Sequence, residues 1–357
     1  MLQVLFRIPW DHFRVGGVEI PTFGFGLFLL LWAVLGAVVV ARLAIKGTLG
    51  QLTNDPVALG IWAAAGCAIW LAPSIGPRFA PAGIPFFGYG LMLFIGFTTA
   101  VYLATRRAAE QGIPPERIWD LAVCIFIPGL FGARLFFAIQ YPGKVFTGTT
   151  FFENVLSFVN LSQGGIVLFG GLLMGTVAYF VFCYWNKIHP LQLADIITPS
   201  IFVGVGFGRI GCLLNGCCYG DVCNLPFGIH FPSESVTYGE FVCRGIISPL
   251  SATTPLLQPT QIYSAIDGFL IAAAAYLYFP YRTRHGAVFG LAALTYAITR
   301  YFVELLRSDE EGQFSTSLTI SQWVSLGVGI SVLLLLVWVF SRPPLVRRQA
   351  VSSLPAG

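Results

Sequence analysis

The chain has 357 residues, of which 56% are hydrophobic and only 10% are charged. Soluble proteins carry about a quarter charged residues, so this composition excludes a soluble globular domain and a disordered chain. The formal net charge of +4 comes without a dense basic run, which argues against a nucleic-acid-binding protein. The sequence therefore predicts an all-α polytopic membrane protein.

Nine apolar segments are long enough to cross a membrane as helices. In chain order they are residues 23–43, 56–75, 85–105, 120–140, 165–185, 196–215, 262–280, 286–306 and 319–341. The loops after odd-numbered spans carry eleven lysines and arginines, and the other side carries six. Positive charge is retained on the cytoplasmic side, so we predict an outer N-terminus, an outer segment 216–261 and a cytoplasmic tail 346–357.

A short repeat relates the first and third predicted spans. Residues 20–27 read I-P-T-F-G-F-G-L, and residues 84–91 read I-P-F-F-G-Y-G-L. One intervening span allows both copies the same orientation. We therefore predict that residues 1–80 form an accessory two-span module, which repeats part of a seven-span core at residues 81–345.

Five ionisable residues fall inside predicted spans: Arg134, Arg209, Asp267, Arg300 and Glu304. Inserting an ionisable residue at the centre of a membrane costs at least about 2.5 kcal/mol of free energy. Such a residue therefore indicates a functional role. The predicted topology places all five in the outer half of the bilayer, with three arginines against two acids. Because guanidinium groups bind phosphate in two-point geometry, this surplus predicts a site for an anionic phospholipid. The alternative is a set of paired charges that locks the bundle, since Arg300 and Glu304 are spaced to pair on one helix.

Five of the eight cysteines follow one another near the end of the sixth span: Cys212, Cys217, Cys218, Cys223 and Cys243. The last four allow three disulfide pairings, which the sequence does not resolve. A metal site is the rival, but no C-x-x-C pair is present and only His230 is near, so we predict no metal and no cofactor. No histidine lies at a recognisable position for a catalytic thiol.

The stretch G-R-I-G-C-L-L-N-G-C-C-Y-G at residues 208–220 resembles the signature of the prolipoprotein diacylglyceryl transferase family. Four further stretches agree with the family in the right order. They are Y-G-L-M at 89–92, G-A-R at 132–134, Q-P-T-Q-I-Y at 258–263 and R-Y-F-V-E-L-L-R at 300–307. Together the five motifs place the resemblance over about residues 84–341.

The resemblance implies an enzyme with seven spans that works at the outer face of the bacterial cytoplasmic (inner) membrane. Such an enzyme transfers the diacylglyceryl group of phosphatidylglycerol to the lipobox cysteine of a prolipoprotein signal peptide, forming a thioether and releasing glycerol phosphate. The resemblance assigns Arg209 and Arg300 as the catalytic pair. The remaining expected site residues, which bind substrate or support the site, are Tyr89, Arg134, Gly170, Gly171, Asn215, Gly220, Tyr296 and Glu304.

Four positions depart from the family pattern. Phe169 and Gln258 stand where members often carry histidine, Cys212 stands where many carry asparagine, and Cys217 stands where many carry an acid. The sequence therefore does not identify the group that accepts the thiol proton. Two other functions stay open: a non-catalytic lipid- or lipoprotein-binding relative, and a transporter. Transporters often contain inverted repeats, whereas both copies of this repeat have the same orientation and lie outside the charged region. This disfavours transport.

Overall fold

The computed structural model of the chain describes residues 4–15, 18–45, 47, 56–146, 148, 150–160, 165, 167–307, 312–313 and 315–344. The predicted tail at residues 346–357 lies outside the described residues. The chain divides into two compact units, Met1–Leu91 and Met92–Gly357.

The first unit combines two apolar helices with four short strands. Its elements are β1 (Val4–Ile8), β2 (His12–Val15), β3 (Val18–Pro21), α1 (Leu27–Ile45), α2 (Pro56–Phe79) and β4 (Ile84–Phe87). Strand β1 pairs antiparallel with β4, and β2 pairs antiparallel with β3. The Phe6 and Phe86 rings stack across the β1–β4 pair with centroids 4.8 Å apart.

The two copies of the repeat adopt similar local structure. Strand β3 contains the Ile20-Pro21 pair and leads into α1, and β4 contains Ile84-Pro85 and leads into a long helix that begins at Gly88. Helices α1 and α2 contact each other through the stacked rings of Trp32 and Trp62. Each copy is therefore a strand followed by an apolar helix.

The second unit is a helical bundle. Its helices are α3 (Gly88–Glu110, which begins in the first unit), α4 (Pro115–Gln140), α5 (Pro142–Val145), α6 (Phe151–Val159), α7 (Leu168–Asn186), α8 (Pro190–Asn215), α9 (Val236–Cys243), α10 (Thr260–Tyr278), α11 (Ala287–Glu304) and α12 (Ile320–Ser341). The main packing pairs are α4 with α7, α8 with α10, and α11 with α12.

Among the described residues, eight helices are long and apolar enough to cross a membrane, which confirms a polytopic membrane protein. The remaining predicted span, 286–306, corresponds to α11. That helix has 18 residues and carries Arg300 and Glu304, which makes it the least apolar of the predicted spans. The direction in which the helices cross the membrane stays a prediction.

Asp195 lies near the N-terminus of α8 and contacts the first turn of α11. Both helices carry predicted site residues near their C-terminal ends. Its buried carboxylate accepts hydrogen bonds from the backbone N–H groups of Gly286 (2.8 Å) and Phe289 (2.9 Å). The same carboxylate lies 3.6 Å from the Arg282 guanidinium. These contacts cap the N-terminus of α11 and fix it against α8, and so set Arg300 relative to Arg209. The sequence-based span began at residue 196, which left Asp195 unnoticed.

Candidate functional site

Arg209 lies in the last turns of α8 and is half-buried. Its guanidinium interacts with the Tyr296 side chain on α11 and lies within electrostatic reach of Cys218. Among the described residues, no carboxylate forms an ion pair with Arg209. The positive charge of Arg209 is therefore available to an anionic ligand.

Arg300 and Arg307 share a single carboxylate. Arg300 forms an ion pair with Glu304 one turn further along α11, and the Arg307 guanidinium lies 3.5 Å from the same Glu304 oxygen. Glu304 is almost fully buried, with 1% of its surface exposed. Glu304 therefore holds both guanidinium groups near the end of α11.

The start of α12 completes the surroundings of this charge cluster. The Thr319 hydroxyl donates to Glu304 over 3.2 Å, and the Arg300 guanidinium donates to the Ser321 hydroxyl over 3.2 Å. Thr319 and Gln322 also form a capping box that begins the helix. Sequence reasoning missed Thr319 and Ser321, although the T-x-x-Q spacing marks the helix start beside which they lie.

The loop that follows α8 joins three of the sequence motifs. The Gly220 N–H donates to the Gln258 carbonyl, and the Asp221 N–H donates to the Leu306 carbonyl, each over 2.9 Å. A Cβ atom at Gly220 would lie 2.7 Å from the Leu306 carbonyl oxygen. Only glycine fits this close approach, which explains why the signature ends on that residue.

Three consecutive carbonyls of the same loop are held by buried side chains. Thr237 donates to the Gly216 carbonyl (2.6 Å), Gln261 to the Cys217 carbonyl (2.7 Å) and Thr260 to the Cys218 carbonyl (2.8 Å). Each of these three side chains belongs to a residue with no more than 1% of its surface exposed. The loop backbone is therefore fixed without regular secondary structure.

Cys218 has an unusual backbone and an unusual charge environment. Its φ of 60° lies in the left-handed region, which non-glycine residues rarely adopt. Hydrogen bonds with the Cys212 and Cys217 thiols, together with the charges of Arg209 and Arg307, hold the pKa of the Cys218 thiol well below its usual range.

All eight cysteines are described, and each is free. None of the predicted disulfide pairings is formed. Instead, the sulfur atoms of Cys212, Cys217 and Cys218 lie within 4.8 Å of one another, whereas Cys243 is exposed outside this cluster.

Arg134 directs its side chain to the backbone of another segment. Its guanidinium donates to the carbonyl oxygens of Ser157, Phe158, Asn160 and Gly165 at distances between 2.7 and 3.1 Å. The residue is 5% exposed. These bonds tie α4 to the end of α6 and to the segment that precedes α7.

Gly170 marks the point where α7 approaches α4 most closely. A Cβ atom at Gly170 would overlap the Gly132 carbonyl oxygen and lie 2.6 Å from the Cβ of Phe136. A Cβ atom at Gly171 would lie 3.1 Å from the Gly129 carbonyl oxygen. Both glycines of the expected site therefore allow helix packing.

We expect Gly170→Ala to lower the melting temperature of the detergent-solubilised protein. The added methyl group forces α4 and α7 apart, a change that costs about 1–3 kcal/mol in a close-packed interior. Gly204→Ala on α8 is the matched control, because a Cβ atom there meets nothing within 4 Å. Equal melting temperatures for the two variants would contradict the packing role of Gly170.

The other expected site residues are placed as follows. Asn215 is the last residue of α8, and its side chain interacts with Cys217. Tyr296 packs against Phe202 with ring centroids 5.5 Å apart and reaches Arg209. Tyr89 is 39% exposed and lies in the first unit, in the first turn of α3. Asp267 accepts a hydrogen bond from the Thr299 hydroxyl over 2.8 Å.

Comparisons with known proteins identify the family to which the chain is similar. A family model described as prolipoprotein diacylglyceryl transferase matches residues 79–338. The phosphatidylglycerol–prolipoprotein diacylglyceryl transferase of Clostridium tetani is 31% identical over 244 residues, which cover 68% of this chain and 89% of that protein. The similarly named protein of Photorhabdus laumondii is 30% identical over 286 residues, covering 75% of this chain and 94% of the relative.

Proposed function

The chain belongs to the prolipoprotein diacylglyceryl transferase family, and we propose that it transfers the diacylglyceryl group of phosphatidylglycerol to the lipobox cysteine of prolipoprotein signal peptides. The acceptor sulfur bonds to the glycerol carbon of the lipid, and glycerol phosphate leaves. The family names support an enzyme and do not favour a non-catalytic relative.

One observation carries the proposal: three arginines, Arg209, Arg300 and Arg307, gather near the ends of α8 and α11. Arg209 is without a carboxylate partner among the described residues, and Arg300 and Arg307 both contact Glu304. Negative charge grows on the phosphate as its bond to the glycerol carbon breaks. Fixed guanidinium groups stabilise that charge without reorganising in the transition state.

In this proposal Arg209 and Arg300 hold the lipid phosphate, and the other residues act around them. Glu304 orients Arg300, and Tyr296 orients Arg209. Gly220 shapes the loop after α8, Asn215 ends that helix, and Tyr89 of the first unit stays a predicted substrate-binding residue. Gly170 and Gly171 allow α7 to pack closely against α4. Arg134 holds the Gly165 carbonyl that precedes α7.

We place the reaction at the outer face of the bacterial cytoplasmic membrane. The positive-inside distribution of lysine and arginine puts the C-terminal ends of α8 and α11 on the outer side. A lipid headgroup reaches that depth without leaving the bilayer, and a secreted precursor presents its cysteine there.

The direct test is a transfer reaction with purified protein in phosphatidylglycerol vesicles. We expect a lipobox peptide to gain the mass of a diacylglyceryl group, and the same peptide with serine in place of cysteine to gain none. Vesicles of phosphatidylcholine alone are the lipid control.

We predict that Phe169 does not prevent activity. The charge cluster is intact without a histidine at this position, and electrostatic stabilisation of the leaving phosphate carries much of the rate. The native protein should therefore form the thioether product in the vesicle assay, and Phe169→His should change the rate little. A native protein that is inactive, beside an active Phe169→His variant, would overturn this view.

We also predict that residues 1–80 are accessory to transfer. Phe25 stands where the core copy of the repeat has Tyr89, so the first copy has lost the hydroxyl that could meet a headgroup. Removing two spans leaves every later span in its orientation. A chain that begins at Pro81 should transfer lipid but melt at a lower temperature, because β4 loses its partner β1.

Complementation of a strain depleted of its own transferase measures this, with membrane levels checked by blot. The full-length chain is the control. A truncated protein present at normal levels yet inactive would show that the first unit helps to build the active site.

A further inference from the structure

The cysteine cluster at the end of α8 has the composition of a metal site. The sulfur atoms of Cys212, Cys217 and Cys218 all lie within 4.8 Å of one another. In tetrahedral zinc–thiolate sites, where Zn–S bonds measure about 2.3 Å, the sulfurs lie about 3.8 Å apart. A shift of less than about 1 Å therefore brings these three thiols to coordinating distance.

The backbone around the cluster is already ordered. Glycine at position 216 takes a left-handed conformation that ends α8 and turns the chain back, so that residues 217 and 218 meet Cys212. Thr237, Gln261 and Thr260 then hold the carbonyls of residues 216–218. Such a loop presents its thiols with little ordering left to complete on binding.

Two positively charged side chains lie close to the cluster. Cys218 lies within electrostatic reach of the guanidinium groups of Arg209 and Arg307. Three thiolates around a divalent cation leave a net charge of only −1. All three cysteines are partly exposed, so that a fourth ligand position remains accessible.

We propose that Cys212, Cys217 and Cys218 bind one thiophilic divalent cation of the Zn²⁺ class, and that its fourth position takes the acceptor cysteine of the substrate. The second part rests on the proposed function. It explains how the acceptor thiol loses its proton in a chain where Phe169 and Gln258 replace family histidines, because neither residue can accept that proton. Coordination lowers the pKa of a thiol, and the thiolate forms without a histidine.

The resulting step balances without an oxidant or reductant. The acceptor thiol releases its proton to water as its sulfur binds the cation. The sulfur then bonds to the glycerol carbon, and the bond from that carbon to the phosphate oxygen breaks. The electron pair leaves with the phosphate, whose charge Arg209 stabilises.

The site is tested first by metal binding alone. Purified full-length protein is reduced, stripped with a chelator and titrated with Co²⁺, whose thiolate complexes absorb in the near ultraviolet. We expect one equivalent to give the thiolate band in the wild type and in Cys243→Ser, the matched control outside the cluster. Cys212→Ser, Cys217→Ser and Cys218→Ser should each lose the band. No band in the wild type, or a disulfide within the cluster in the native protein, would overturn the site.

The role of the fourth position is tested by adding lipobox peptide to the Co²⁺-loaded protein. The cysteine peptide should shift the band, and the serine peptide should not. Chelation should abolish thioether formation, and Zn²⁺ should restore it. A metal-binding protein that transfers lipid equally well after stripping would refute the activation role. Absence of transfer by the Zn²⁺-loaded protein would instead count against the proposed function, since the Co²⁺ titration reports the site independently.

Discussion

Replacing Arg209 with Ala is expected to lower the rate of diacylglyceryl transfer about 100- to 1,000-fold, while the protein still inserts into the membrane. Unlike Arg300, Arg209 has no ion-pair partner among the described residues, so we expect its charge to act on the leaving phosphate. Lys at this position should rescue poorly, because it lacks the two-point donor geometry of guanidinium. The measurement is the initial rate of thioether formation in phosphatidylglycerol vesicles.

Arg300→Ala should lower the same rate to a similar extent, since Arg300 supplies the second phosphate donor. Arg244→Ala is the matched control, because Arg244 forms an exposed ion pair with Glu240 on a helix away from the charge cluster. Near-wild-type rates in both Arg209→Ala and Arg300→Ala would show that the charge cluster does not bind the phosphate.

Glu304→Ala should destabilise the protein as well as inactivate it. Glu304 is the single carboxylate between Arg300 and Arg307, and all three side chains are largely buried. Removing it leaves two guanidinium groups to repel each other, and breaking a buried ion pair typically costs about 3–5 kcal/mol. Arg300 also loses the contact that orients it. We expect a lower melting temperature and a transfer rate at least as low as that of Arg300→Ala.

Two further variants separate charge from shape at this position. Glu304→Gln keeps the size of the side chain and its hydrogen bond from Thr319, so it should fold better than the Ala variant while still losing activity. Asp120→Ala removes the carboxylate of an exposed ion pair with Arg117 and should change neither property much. A Glu304→Ala protein with normal melting temperature and normal transfer would contradict the account of the charge cluster.

The sequence predicted the membrane-spanning helices well, because long apolar runs report directly on the need to satisfy backbone hydrogen bonds in lipid. It did not predict the four strands of the first unit. These strands have four or five residues each, and β4 was included in the third predicted span, whose apolar run extends through it. Strand β1 pairs with a strand far away in the sequence, since Val4 lies opposite Phe87. Local sequence patterns do not reveal such pairing.

The sequence predicted those site residues that carry a charge within a membrane-spanning helix. Arg209, Arg300 and Glu304 stood out because ionisable residues in apolar helices are costly. Their partners were harder to find, since Ser321 and Thr319 are ordinary polar residues whose role depends on how α12 packs against α11. The cysteine cluster was hidden for another reason. Only the chain reversal after Asn215 brings Cys217 and Cys218 back to Cys212, and the spacing of these residues does not resemble a familiar metal motif.

We propose that guanidinium charge near the ends of α8 and α11 drives transfer of the diacylglyceryl group from a phosphatidylglycerol phosphate to a cysteine thiol. The most direct measurement incubates the wild type and Arg209→Ala with phosphatidylglycerol vesicles and a lipobox peptide, and follows peptide mass and released glycerol phosphate together. We predict equal amounts of thioether peptide and glycerol phosphate from the wild type, and neither product above background from Arg209→Ala. Equal product from both proteins, or thioether peptide without glycerol phosphate, would contradict the claim.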